Sequence, residues 1–133
     1  MSKDPRWVTA EQVIALNEVI VQSTGEKHFV RDEASLDGAL NRPLSYYQYE
    51  GVSEVHFLAA YLILAIGKAH AFEQGNKRTA WAAGRLFIHN NGYFLEISEG
   101  SQSFVATMVE HLMIDENTVD VLIAWLGDHI HAA

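Results

Sequence analysis

Apolar and polar positions alternate along this chain with the period of an α-helix in one segment after another. Thr9 followed by Gln12 has the form of a capping box, and Val13, Leu16, Val19 and Ile20 then recur at helical spacing until Gly25 breaks the pattern. The stretch GEKHFVRD reads as a polar loop. Asp32 is then placed to cap a short second helix carrying Leu36, Ala39 and Leu40 and ended by Pro43. PLSYYQYEG shows no helical period, so Tyr46, Tyr47 and Tyr49 are expected in a flap or a short edge strand.

The longest apolar run begins at Ser53. Phe57, Leu58, Tyr61, Leu62, Ile63, Leu64 and Ile66 cover most of a helix circumference, which predicts a central, buried helix ending near His70. A second central helix is expected from about Asn76, carrying Ala80, Ala83, Leu86, Phe87 and Ile88 to a left-handed stop at Asn91-Gly92, with Gly84 and the alanines permitting close packing. YFLEI reads as a brief strand. Ser101 to Ile114 and Asn117 to Ile130 supply two more helices. The expectation is an all-α, single-domain bundle of about six helices, spanning residues 1–133, around a central helix.

Composition narrows this picture. A chain of 133 residues with 49% apolar content has the size of one domain with a real core. A formal charge of −8 argues against direct nucleic-acid or membrane partners, which need broad basic surfaces. With no cysteine there is no disulfide, thiolate nucleophile or Cys-ligated zinc, which fits a reducing compartment. MSKDPRWVTAEQ lacks the apolar core of a signal peptide, and the run from Phe57 to Gly67 is about half of a membrane crossing, so a cytoplasmic location is expected.

Against that acidic background the cations are unevenly placed. Lys68, Lys77, Arg78 and Arg85 stand in a stretch whose only acid is Glu73, and no lysine or arginine follows Arg85. A local anion site is the expected result. Residues 70 to 78 fall between the two central helices, where the first turn of the new helix offers unpaired N–H groups and the positive end of its dipole. Gly75 allows close approach to the backbone, Asn76 is expected to cap the turn, and Lys77 and Arg78 add full charges suited to phosphate. His70 is the one residue there able to take a proton from a hydroxyl near neutral pH. Phe72 is expected to anchor the loop in the core. Singly, His70 reads as an ordinary helix-end residue and Lys77-Arg78 as a solvated turn; together they read as a base facing a phosphate cradle.

His70-Ala71-Phe72-Glu73-Gln74-Gly75-Asn76-Lys77-Arg78 closely resembles the motif of the Fic/Doc family in its death-on-curing branch, His-x-Phe-x-acid-Gly/Ala-Asn-Lys-Arg. RDEASLDGALNRP, FLAAYLILAIGKAHAF and NKRTAWAAGRLFIHNNGYFLEI resemble the family's flanking segments. The resemblance implies the Fic/Doc fold and a toxin of a toxin–antitoxin pair that moves the γ-phosphate of ATP to a hydroxyl of elongation factor Tu. It would make His70 the base, with Gly75, Asn76, Lys77 and Arg78 holding the nucleotide phosphates and an antitoxin protein as partner. The AMP-transferring branch has Gly at the position of Lys77 and a second arginine at the position of Trp81; AMP transfer is the alternative activity. Gln74 stands where the family has an Asp or Glu that binds Mg²⁺. A neutral amide brings no charge to a hard cation, and Glu73 comes one position too early. A catalytically silent binding protein is therefore a third reading. Tyr46, Tyr47 and Tyr49 with Trp7 are candidates for an aromatic antitoxin groove, and HIHAA at the end is expected to fray.

Overall fold

The computed structural model describes residues 4–133, which form six α-helices and one two-stranded antiparallel sheet. Helix α1 (Ala10–Ser23) starts at the expected capping box: the Thr9 hydroxyl accepts from the Gln12 N–H, and the Gln12 side chain accepts from the Thr9 N–H. Its buried face is Val13, Asn17 and Val21, a four-residue repeat with an amide in the middle. Val19, expected in the apolar stripe, is 68% exposed.

Helix α2 (Glu33–Glu50) is capped by Asp32, as expected, but does not end at Pro43. The proline lies inside it, buried, and the tyrosine segment is helical rather than a flap or strand. Packing explains the difference. Leu36, Ala39, Pro43 and Tyr46 form one stripe at heptad-like spacing, and the Tyr46 ring meets Tyr61 of the next helix at 4.3 Å and Phe57 at 5.9 Å between centroids. The ladder bond lost at proline is a local cost that this shared face offsets. Tyr47 packs edge-on against Trp7 and Trp7 stacks on Phe87, so these rings belong to the core's margin. Tyr49 is 83% exposed.

Helix α3 (Val55–Ala69) is the central rod: Leu58 to Ala60 and Leu62 to Gly67 are all buried. It packs against α2, α4 (Asn76–Asn90), α5 (Gln102–Ile114) and α6 (Val119–His129), while α1 lies on α4. Gly84 sets the α3–α4 approach. A methyl group there would stand 2.5 Å from the Ile63 side chain, inside any van der Waals contact.

Strand β1 (Tyr93–Leu95) forms as expected, and its partner is the end of the chain. Strand β2 (Ile130–Ala132) pairs Ile130 with Leu95 and Ala132 with Tyr93, so the HIHAA segment is tied down rather than frayed. The His131 Nε2 lies 3.1 Å from the Glu96 carboxylate, and His129 stacks on Trp125. Among the described residues no helix is long and apolar enough to cross a membrane. Replacing Gly84 with alanine is expected to lower stability by about 1–3 kcal/mol through overpacking against Ile63, read as a reduced midpoint of urea unfolding with unchanged slope.

Candidate active site

Two buried helices, α3 and α4, are joined by only six residues, 70–75, and the path between them is sharply constrained. His70 closes α3 in the left-handed conformation, φ 49° and ψ 42°, a position where glycine is the usual occupant and another residue costs about 1 kcal/mol. The turn leaves His70 exposed and sends Ala71 and Phe72 into the core, both 0% exposed. Phe72 thus occupies the place of the anchor.

The loop is then held from three sides. From outside, the segment before α2 pairs with it in an antiparallel bridge between Val30 and Phe72. The Ala71 C=O accepts from the N–H groups of Arg31 (2.7 Å) and Asp32 (3.1 Å), and the Glu73 N–H donates to the Phe29 C=O at 3.0 Å. From within, the Asn76 side chain takes both backbone groups of Phe72: its Oδ1 accepts from the Phe72 N–H at 3.1 Å and its Nδ2 donates to the Phe72 C=O at 2.8 Å. From α1, the buried Asn17 Nδ2 donates to the Gln74 C=O at 2.8 Å.

Asn76 is therefore not the helix cap. Gly75 occupies that position with φ 74°, and among the described residues no side chain caps the start of α4. The first bond of the helical ladder runs from the Thr79 N–H to the Gly75 C=O at 2.9 Å, which leaves the preceding turn's N–H groups outside the ladder. Gly75 and Asn76 are partly open to solvent, and Lys77 and Arg78 are exposed. An uncapped helix N-terminus with two cations on its first turn is an electrostatic seat for an anion.

The two cations diverge. Lys77 pairs with Glu110 of α5, whereas Arg78 Nη2 pairs with Glu26 of the α1–α2 loop at 2.6 Å and its Nη1 donates to Thr24 at 3.2 Å. Hydrogen bonds from Thr24 first and Arg78 second hold the Glu26 carboxyl below its ordinary value of 4.5. Beside the seat lies a cleft of about 490 Å³ between α4, α5 and β1, lined on its α4 side by Lys77, Arg78, Trp81 and Arg85. That volume lies within the ~300–1,000 Å³ typical of small-molecule sites.

The donor set does not fit a protein-held Mg²⁺. Gln74 is exposed and offers only a neutral amide where a hard cation prefers a carboxylate, and Glu73 lies one position earlier, 3.7 Å from Arg31. Sequence reasoning missed Asn17, Glu26 and Glu110, and left His28 without a role. The one available signal was Asn17 itself, a polar residue four positions from both Val13 and Val21 in an apolar stripe.

A helical core around α3 with this bend at the entry to α4 is what the resemblance to the Fic/Doc family implies, and comparison of the sequence shows that family. Residues 7–88 match the Fic/DOC family, and the chain belongs to that family. Among known proteins it is 37% identical over 92 residues to "Toxin Doc" of Mycolicibacterium smegmatis, covering 68% of this chain and 67% of that protein. It is 26% identical over 87 residues to "Protein kinase doc" of Escherichia phage P1, covering 65% and 69% respectively.

Two outcomes follow from this geometry. Gly75→Ala places a methyl group 2.9 Å from Val21 in a conformation that L residues avoid, so a loss of about 2 kcal/mol or more is expected on thermal or urea unfolding. The lowered Glu26 pKa means that its pairing contributes stability fully present above pH 4.5 and lost as pH falls through the lower folded value; a Glu26→Gln variant should show a flatter acid limb of stability against pH.

Proposed function

We propose that this protein is the toxin of a toxin–antitoxin pair and a protein-hydroxyl kinase that uses ATP. The observation that carries the reading is the uncapped, solvent-open start of α4, flanked by Lys77 and Arg78 and reached by a loop that begins with an exposed histidine. The names borne by the two relatives, a toxin and a protein kinase, point the same way.

In this mechanism the terminal phosphates of ATP sit on the free N–H groups of residues 75 to 78, and Lys77 and Arg78 leave their glutamate partners for phosphate oxygens. His70 takes the proton of the target hydroxyl as its oxygen attacks the γ-phosphorus. A new P–O bond forms, the bond to the β–γ bridging oxygen breaks, ADP leaves, and the imidazolium returns its proton to solvent. No covalent enzyme intermediate is required. The stabilisation comes from fixed amides and two cations placed where charge shifts toward the leaving group. The adjoining cleft, with Trp81 and Arg85 on its wall, takes the rest of the nucleotide. Elongation factor Tu is the protein substrate to test first, and an antitoxin is the expected partner. Lys77 fills space that an AMP transferase leaves open, and Trp81 stands where that branch has its second arginine.

Gln74 favours one other reading. Without an acidic metal ligand at that position, a silent member that only binds its partner is the alternative. Purified protein incubated with magnesium, elongation factor Tu and ATP labelled at either the γ or the α phosphate separates these. Transfer of γ label is expected, reduced roughly 10²- to 10⁴-fold in His70→Ala, together with loss of growth arrest in cells. Transfer of α label would instead establish AMP transfer. No label from the parent, with transfer restored in Gln74→Asp, would establish the silent reading.

A further inference from the structure

We infer that Asn17, oriented by His28, is a positioning residue that aims the backbone of the proposed phosphate seat; the inference rests on that seat and identifies what holds it in shape. Asn17 is one of two fully buried polar residues among those described, and the other is Thr79. They are bonded to each other: Asn17 Nδ2 donates to Thr79 Oγ1 at 3.0 Å and to the Gln74 C=O at 2.8 Å. One amide group therefore grips the bend on both sides of Gly75, the loop through a carbonyl and the helix through a hydroxyl. A Cβ on Gly75 would lie 3.4 Å from that same nitrogen, so the amide lies against the pivot itself.

Peptide geometry turns this grip into a direction. In a trans peptide the C=O and the following N–H point oppositely. Drawing the Gln74 carbonyl inward to α1 therefore turns the Gly75 N–H outward, away from α1. An outward Gly75 N–H is what an anion on this turn would meet first. An apolar residue at position 17 would continue the Val13–Val21 stripe more cheaply, since a buried amide costs about 1–3 kcal/mol unless fully bonded.

His28 completes the bonding of the amide and supports the way it faces. The Gln74 carbonyl can only accept, so the nitrogen of Asn17 must be on its side and Oδ1 must face His28 Nδ1, 2.8 Å away. Nδ1 must then carry the proton. The other ring nitrogen, Nε2, lies 3.7 Å from Glu18, and the half-buried ring sits beside Phe72 with centroids 6.4 Å apart. His28 and Asn17 thus form a relay of orientation that ends on the bend, with neither of the two in the transfer chemistry.

The test compares full-length Asn17→Asp, His28→Ala and His28→Asn variants with the parent, by ATP binding and by the ¹⁵N–¹H resonance of Gly75. Asn17→Asp keeps the shape but sets an oxygen against the Gln74 carbonyl; His28→Ala removes the orienting donor; His28→Asn keeps a donor near the position of Nδ1. Asn17→Asp and His28→Ala are expected to move the Gly75 resonance and weaken ATP binding about tenfold or more. His28→Asn should restore both, which a packing role for the ring would not. A Gly75 resonance unchanged in Asn17→Asp and His28→Ala, or equal damage from His28→Ala and His28→Asn, would overturn the inference. A parent that binds no ATP would sink the phosphate seat, while the Gly75 arm would still decide whether Asn17 sets the bend.

Discussion

Both backbone groups of Phe72 are bound by the single side chain of Asn76, four residues on, and this closure makes the bend between α3 and α4 a rigid object. A six-residue connection between two buried helices has little freedom, and here it is spent in defined ways. The left-handed turn at His70 reverses the chain, Phe72 plugs the core, and Gly75 makes the second left-handed turn where α1 leaves no room for a side chain. The conformational entropy of the loop is lost on folding, before any ligand arrives, which is the condition for a tight anion seat.

The electrostatics follow from the same closure. Asn76 has a cap-forming side chain, yet that side chain is committed to Phe72, so the helix terminus has Gly75 and no side-chain acceptor at its start. In a protein of net charge −8, the dipole end of α4 and the cations on its first turn remain the natural place for negative charge. Glu26 and Glu110 occupy part of that role now, each paired with one cation from a different element. Exposed ion pairs of this kind are individually weak, so neither pair commits its cation strongly.

Much of this was legible in the residues. The six helices, the capping box, the strand at YFLEI and the bend itself followed from periodicity and turn chemistry, and the motif HAFEQGNKR pointed to the family that the comparisons show. What was not legible depends on partners distant in sequence. Pro43 reads as a helix stop until Tyr46 is seen packed on Tyr61, and HIHAA reads as a loose end until Leu95 is seen paired with Ile130. Asn76 reads as a cap because local rules favour it, whereas the Phe72 backbone competes for the same side chain and wins. Asn17 stands out as a polar residue in an apolar stripe, but the carbonyl it bonds, that of Gln74, lies 57 residues away.

The proposed seat sets phosphate on the amides of Gly75 to Arg78, within reach of His70. A crystal structure with a nonhydrolysable ATP analogue tests it most directly. Terminal phosphate oxygens are expected within hydrogen-bonding distance of those N–H groups, with Lys77 and Arg78 released from Glu110 and Glu26 to meet them and the His70 ring beside the γ-phosphate. A nucleotide bound elsewhere, with both ion pairs intact and the start of α4 facing only solvent, would contradict it.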